Sequence, residues 1–184
     1  FTERTKDYVY SEGDRGRLRR DIRSFLAALA DYGITLRRLS DKPVDPATRN
    51  QLLNISLNLI NDGAIARALV QTRQLPAQAC ADLTGYPADF IRQHQAILIA
   101  YMLLFGTEQH SFLSRQLSIG TKLDGTTGTM RRDQGIKLKD FGFTSVVLTP
   151  YGEFLYMDPK DRHTVAGDFV TGTNPMVKPK RAMI

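Results

Sequence analysis

Hydrophobic residues recur at helical spacing over the first two thirds of the chain. Between Arg15 and Tyr32 they stand three or four positions apart, which predicts an amphipathic helix. Asp45 followed by Pro46 is typical of the start of a second helix, which the Asp-Gly pair at 62–63 ends. The same pattern predicts a short helix at 65–69 and three more at 77–83, 88–105 and 108–117.

The pattern changes after residue 130. Apolar and polar residues alternate over 134–139, and short apolar runs at 144–149 and 154–157 are separated by turns that contain glycine or proline. These runs predict short β-strands, with a weaker one near 168–171. So few residues predict a small, partly open barrel with a marginal core and exposed edges.

Residues 76–105 have the layout of a helix-turn-helix, with a short helix, a turn containing glycine and a longer helix. In such a unit the first residues of the second helix face the bases of DNA. Those positions hold Asp89, Arg92, Gln93 and Gln95, and Arg and Gln are residue types that read guanine and adenine. The alternative is two helices that only pack together, with a solvated first turn.

Segment 118–129 separates the two patterns. It has three glycines and four threonines, a composition typical of a flexible linker that makes few contacts. We therefore expect an α+β chain organised by segment. An all-α helical domain with a helix-turn-helix spans 1–117, the linker spans 118–129, and a small all-β partly open barrel spans 130–184.

Composition narrows the class of protein. The 184 residues are 42% hydrophobic and 24% charged, which is enough apolar material for a packed core. No apolar run reaches the roughly 18 residues of a membrane span, and charged residues fill the first thirty positions, unlike a signal peptide. The single Cys80 excludes an intramolecular disulfide. We expect a cytoplasmic protein.

Catalytic motifs are missing from the sequence. His94, His110 and His163 lie far apart, and no paired-histidine, paired-cysteine, P-loop or nucleophile-elbow spacing occurs. We therefore expect no enzyme activity, no metal and no cofactor. Cys80, on an apolar helix face, is most simply a small core residue.

The net charge favours an anionic partner. The chain has 25 basic and 19 acidic residues, a formal charge of +6, which suits a polyanion without proving one. Because Arg92 is the only cation between positions 88 and 100, contacts to phosphates are expected from the first helix, unless its basic residues form an ordinary solvated face. The candidates are Arg15, Arg17, Arg19, Arg20 and Arg23.

Both parts resemble known families. Residues 75–83, the turn, 90–100 and the Leu-Leu-Phe-Gly at 103–106 resemble the C-terminal domain of sigma-I-type RNA polymerase sigma factors, over roughly residues 10–117. Met-Arg-Arg at 130–132, the run Leu-Thr-Pro-Tyr-Gly-Glu-Phe-Leu and Asp-Arg-His resemble the cytoplasmic N-terminal domain of the membrane-bound anti-sigma-I factor. Met-Arg-Arg opens proteins of that family, which implies that the linker joins two formerly separate partners.

The resemblance implies bacterial transcription regulation. The sigma-like half would read the −35 promoter element, and the anti-sigma-like half would keep it from promoter DNA and from RNA polymerase core until a signal arrives. It also implies a membrane segment absent from this chain, with the anti-sigma half at the cytoplasmic face. Family recognition helices are more basic than this one. The alternative is a self-contained DNA-binding regulator whose β part serves dimerisation or effector binding.

Contact between the two parts is expected to use aromatic residues, since these are enriched at interface cores. A barrel this small buries only one face within itself. The candidates are Phe141, Phe143 and Tyr151 on the β part, and Tyr101, Phe112 and Leu113 on the helices. The alternative for the two phenylalanines is that they close the ends of the barrel.

Overall fold

The structure is a computed structural model that describes residues 10–41, 44–117, 135–149 and 152–156. The linker predicted at 118–129, the strand predicted at 168–171 and the interface candidate Tyr151 lie outside the described residues.

Helices form most of the described chain. Their bounds are α1 Glu12–Asp31, α2 Leu36–Asp41, α3 Pro46–Ile60, α4 Gly63–Thr72, α5 Ala77–Thr84, α6 Ala88–Gln93, α7 Gln95–Gly106 and α8 Ser111–Leu117. A 3₁₀ turn at Glu108–His110 precedes α8. The predicted helices are all present, although 88–105 is divided and α2 was not predicted.

Side-chain caps explain where three helices begin. Ser11, Asp45 and Asp62 each accept a hydrogen bond from the backbone N–H three residues later, at the start of α1, α3 and α4. These bonds satisfy N–H groups that the first turn of a helix leaves without partners. The Asp-Gly pair at 62–63 therefore starts α4 as well as ending α3.

The core is built around α7. Its residues 98–104 are all buried, and α7 packs chiefly on α3, with α1 and α8 beside it. One face of α1 completes this core. Of the predicted apolar stripe, Leu18, Ile22, Phe25 and Leu29 are buried, and Leu26 is partly buried against the core. Helix α7 itself is apolar on every side, which is typical of a helix in the core.

The helix predicted at 88–105 is interrupted at His94, whose backbone (φ −108°, ψ 22°) leaves the helical region. Neither glycine nor proline marks this position. One tertiary contact lies at the break, where the Gln95 side-chain oxygen accepts the Leu75 N–H at 2.7 Å. A local contact accompanies it, since the rings of Phe90 and His94 lie 4.7 Å apart. The break separates α6, on the surface, from α7, in the core.

The β part is a three-stranded antiparallel open sheet in the order β1-β2-β3. The strands are β1 Ile136–Lys137, β2 Val146–Leu148 and β3 Phe154–Tyr156. Ile136 pairs with Leu148, and Val147 with Leu155. The first strand is shorter than predicted because the chain turns into a 3₁₀ turn at Leu138–Phe141.

The predicted fold class is confirmed, since a mostly helical chain is followed by a small all-β segment. Three strands of two or three residues are too short to be stable alone in water. Both β2 and the start of β3 are buried, and the sheet lies against the helices.

No single helix in the described ranges is long and apolar enough to cross a membrane. Only two helical segments taken together reach the length and composition of a membrane span. They are Gln95–Gly106 and Glu108–Leu117, and the chain bends by 82° between them.

Candidate interface between sheet and helices, and candidate DNA-reading surface

The turn between β2 and β3 is seated on α3 and α7. The carbonyl of Gly152 accepts a hydrogen bond from the Tyr101 hydroxyl at 2.5 Å, and Gly152 has a left-handed backbone with φ of 82°. A Cβ at this position would lie 3.1 Å from the Tyr101 hydroxyl and 3.3 Å from both methyl groups of Leu53. Glycine is therefore required here both by backbone conformation and by space.

Glu153, the next residue, forms an ion pair with Arg49 of α3 at 3.1 Å. Only 4% of the Arg49 side chain and 16% of the Glu153 side chain are exposed. Thr149 orients the carboxylate: its hydroxyl donates to Glu153 Oε1, and it accepts the Glu153 N–H, both at 3.1 Å. In such a buried pair, removing one partner leaves an uncompensated charge and costs about 3–5 kcal/mol.

Tyr101 supplies the aromatic part of this contact. It is fully buried, and its ring stacks on Phe154 of β3 with centroids 6.1 Å apart. Burial raises the pKa of the Tyr101 phenol far above its usual value. The hydroxyl therefore stays protonated at any physiological pH and remains a donor to the Gly152 carbonyl.

A second contact joins the Leu138–Phe141 turn to α1. Arg15 Nη2 donates to the Asp140 carbonyl at 2.7 Å, and Arg19 Nε donates to the Phe141 carbonyl at 3.4 Å. The Arg15 guanidinium also lies over the Phe141 ring, 4.8 Å from its centroid. Cations favour the carbonyl end of a helical turn, where the partial charge is negative. Phe141 itself is buried.

Tyr101 and Phe141 are thus the predicted interface residues that the structure places between the two parts. Phe143 is half-buried against the core. Phe112 lies under the Arg17 guanidinium, 3.9 Å from ring centroid to Cζ. Leu113 is buried, and its N–H donates to Asp21, so it belongs to the contact of α8 with α1.

Sequence reasoning missed Arg49, Gly152 and Glu153. An arginine inside an amphipathic helix and a Gly-Glu pair in a turn both have the composition of a solvated surface. Their one signal was the run Leu-Thr-Pro-Tyr-Gly-Glu-Phe-Leu at 148–155, which marked the segment by resemblance but did not show which helix it touches.

The predicted base-reading residues lie on α6 and at the start of α7. Asp89 and Arg92 form an ion pair of 2.6 Å on the surface, with 96% and 59% of their side chains exposed. Gln93 is also exposed. Gln95 is half-buried, and its side-chain oxygen is engaged by Leu75, so it positions the two helices. Arg92 and Gln93 are the two side chains here that both reach solvent and suit base edges.

An aromatic stack braces this surface. The rings of Tyr86 and Phe90 stack with centroids 5.4 Å apart, and the His94 ring contacts Phe90 at an interplanar angle of 60°. Burial lowers the pKa of His94, which favours its neutral form. The turn between α5 and α6 is thereby tied to the first turns of the helix that follows.

Of the arginines proposed for phosphate contact on α1, Arg19 is engaged by the β part. Arg20 and Arg23 are exposed. A separate cleft of about 580 Å³ opens beside the junction of α6 and α7. Its walls come from the end of α1, from α2, from the residues after α4, and from the α6–α7 junction itself.

Cys80 of α5 is a buried free cysteine. Burial raises the pKa of Cys80 to about 11, so it remains a thiol. Among the described residues, no group of three or more His, Cys, Asp or Glu could hold a metal ion.

Comparison of the chain with protein families, curated proteins and solved structures finds no match.

Proposed function

We propose that the chain is a transcription-regulating complex in one polypeptide, in which an anti-sigma-type β segment binds and inhibits a sigma-type helical domain. The observation that supports this most is the contact of Gly152 and Glu153 with α3 and α7, where the Tyr101–Gly152 hydrogen bond is buried and the Arg49–Glu153 ion pair is largely so. In this proposal the helical domain reads the −35 promoter element. It binds RNA polymerase core once the β segment has released it.

The chemistry of the contact favours a specific partner surface over incidental packing. Charged groups arranged to complement each other across an interface fix its register and exclude wrong partners. Here the β part brings one carboxylate, Glu153, and two carbonyls at the end of its 3₁₀ turn. The helices meet them with three arginines: Arg15, Arg19 and Arg49.

The part of the helical surface that the β part covers suggests how it would inhibit the helical domain. The β part occupies Arg15 and Arg19 on α1 and the side of α3 and α7 around Tyr101. It leaves Arg92 and Gln93 exposed. We therefore propose that the β part acts chiefly by taking the surface that polymerase core needs, with base reading left accessible.

Binding to RNA polymerase core tests this function. The Glu153→Gln variant should loosen the β part and let the full chain bind core, whereas the parent chain should bind core weakly. Glu108→Gln is a matched control, because Glu108 is exposed and contacts none of the described β residues through a hydrogen bond or an ion pair. If neither the parent nor the variant binds polymerase core, the hypothesis of a sigma-type domain is refuted.

The exposure of Arg92 and Gln93 in the closed arrangement favours a second candidate. A self-contained DNA-binding regulator would use these side chains while the β part stays in place. This candidate predicts that the intact chain binds a specific duplex as tightly as Glu153→Gln does, and that neither binds polymerase core. Because the first function also leaves base reading accessible, both functions allow duplex binding, and it is the affinity of parent and variant for polymerase core that separates them.

A further inference from the structure

Three arginines that are distant in sequence converge on the cleft beside α6 and α7. Arg38 comes from α2, Arg73 from the turn after α4, and Arg92 from α6. The cleft lining contains no Asp or Glu among the residues the structure describes. A concave surface lined by charges of one sign concentrates the field and attracts ions of the opposite sign.

Two of these arginines are available for an external anion. The Arg38 guanidinium has no hydrogen-bond or ion-pair partner among the described residues. Arg73 lies over the Tyr32 ring, with 5.0 Å between Cζ and the centroid, which holds its position without neutralising its charge. Its backbone is also left-handed, with φ of 62°, a conformation that is unfavourable for arginine.

The third arginine connects the cleft to base reading. Arg92 is paired with Asp89 at the surface, and exposed pairs of this kind contribute only about 0–1 kcal/mol, so a phosphate can compete for it. Gln93 lines the cleft as well. A duplex whose bases meet α6 would therefore carry its sugar-phosphate backbone across Arg38 and Arg73.

The arginines of α1 are less well placed. Tyr32, which follows the last turn of α1, lines the cleft, and Arg23 lies nine residues earlier. At about 1.5 Å per residue, Arg23 is about 13 Å and Arg20 about 18 Å further along the helix axis. Arg19 is already engaged by the Phe141 carbonyl.

We propose that Arg38 and Arg73 form the phosphate-backbone contact of the DNA-reading surface. This rests on the DNA-reading function proposed above. The lining of the cleft includes none of the described β residues, 135–149 and 152–156, so the described β part does not cover the site. The full chain therefore binds duplex DNA through it without release of the β part.

The test measures binding of the full chain to a specific and a random duplex over a range of salt concentrations. The variants are Arg38→Gln and Arg73→Asn; asparagine is chosen because it tolerates the left-handed backbone. Each should lower affinity roughly eightfold at 0.1 M salt, equally for both duplexes, since one phosphate contact contributes about 0.9 logarithmic units per decade of salt. The slope of log K against log salt should become less steep by about one.

Two controls make the result specific. Arg23→Gln removes one exposed charge of α1 and should leave affinity and slope near those of the parent. Arg38→Lys keeps the charge and should retain the parent slope. Thermal unfolding of every variant checks that it is folded.

Each outcome is decisive. Loss of affinity and slope in Arg38→Gln and Arg73→Asn, with Arg23→Gln unchanged, supports the proposal. If Arg23→Gln weakens binding and the two cleft variants do not, the cleft is not the phosphate site, while the DNA-reading function stands. If the parent binds neither duplex, both the cleft proposal and DNA reading fail.

Discussion

At the scale of single residues, the position that decides the approach of the two parts is Gly152. Gly152 and Gly142 both have a left-handed backbone, with φ of 82° at Gly152 and 91° at Gly142. The surroundings differ, because a Cβ on Gly142 would meet no described residue within 4 Å, whereas one on Gly152 would press on Tyr101 and Leu53.

This pair yields a matched experiment. Both Gly152→Ala and Gly142→Ala pay the same backbone penalty, about 1–2 kcal/mol for a residue with a Cβ. Gly152→Ala should lose a further 1–3 kcal/mol or so, because overpacking forces its neighbours to shift. Chemical denaturation of the full chain measures both. Equal losses in the two variants would show that the turn does not approach the helices as closely as described.

His110 gives a pH-dependent prediction. It is fully buried, its ring meets Phe25 edge-on at 5.6 Å, and both ring nitrogens lack hydrogen-bond partners among the described residues. Burial lowers its pKa in the folded state, and the charge of Asp21 opposes this only in part. The unfolded chain therefore binds a proton more readily than the folded one.

The sign of the effect follows from this difference. The contribution of neutral His110 to stability is complete above its unfolded pKa of about 6.5 and falls as pH drops below it. His110→Phe keeps an aromatic ring and removes the titration. Its free energy of unfolding should decline less between pH 7.5 and 5 than that of the parent. Parallel pH profiles would mean that His110 is protonated equally in both states.

At the scale of elements, the sequence predicted those features that depend on neighbouring residues along the chain. The apolar stripe of α1 and the Asp45–Pro46 start of α3 were both found. The break at His94 was not predicted, because it depends on Gln95 bonding to Leu75, twenty positions away. The short helix α2 was also missed, since six residues carry too little periodicity to be detected.

Gln95 and Gln93 test that explanation. Gln95→Ala leaves the Leu75 N–H without its partner and should reduce the free energy of unfolding by about 1–3 kcal/mol. Gln93→Ala should hardly change stability, because Gln93 is exposed, yet it should lower affinity for the specific duplex more than for the random one. Similar stability in both variants would show that the contact of Gln95 does not fix the helix break.

At the scale of the whole molecule, the change of pattern near residue 130 predicted a helical part and a β part. Tyr101 and Phe141 were predicted as interface residues from the enrichment of aromatic residues at interface cores, and the structure places both in contact with the other part. Arg49 and Glu153 could not be found in this way, because their burial arises only when residues 104 positions apart meet. A buried charge pair between two such parts is visible only in three dimensions.

In the proposed function, the β segment binds the helical part as a specific partner through this pair. A protease site placed within 118–129 would allow the folded chain to be cut, and the dissociation constant of the two fragments could then be measured by calorimetry. The proteins to compare are the parent, Arg49→Met, Glu153→Gln and the double variant.

We predict that the parent fragments stay associated after cutting and that each single variant weakens association by about 3–5 kcal/mol. The double variant should lose clearly less than the sum, because it removes both members of the pair and leaves neither charge buried without the other. Parent fragments that separate on cutting, or losses in the two single variants that simply add, would contradict the claim.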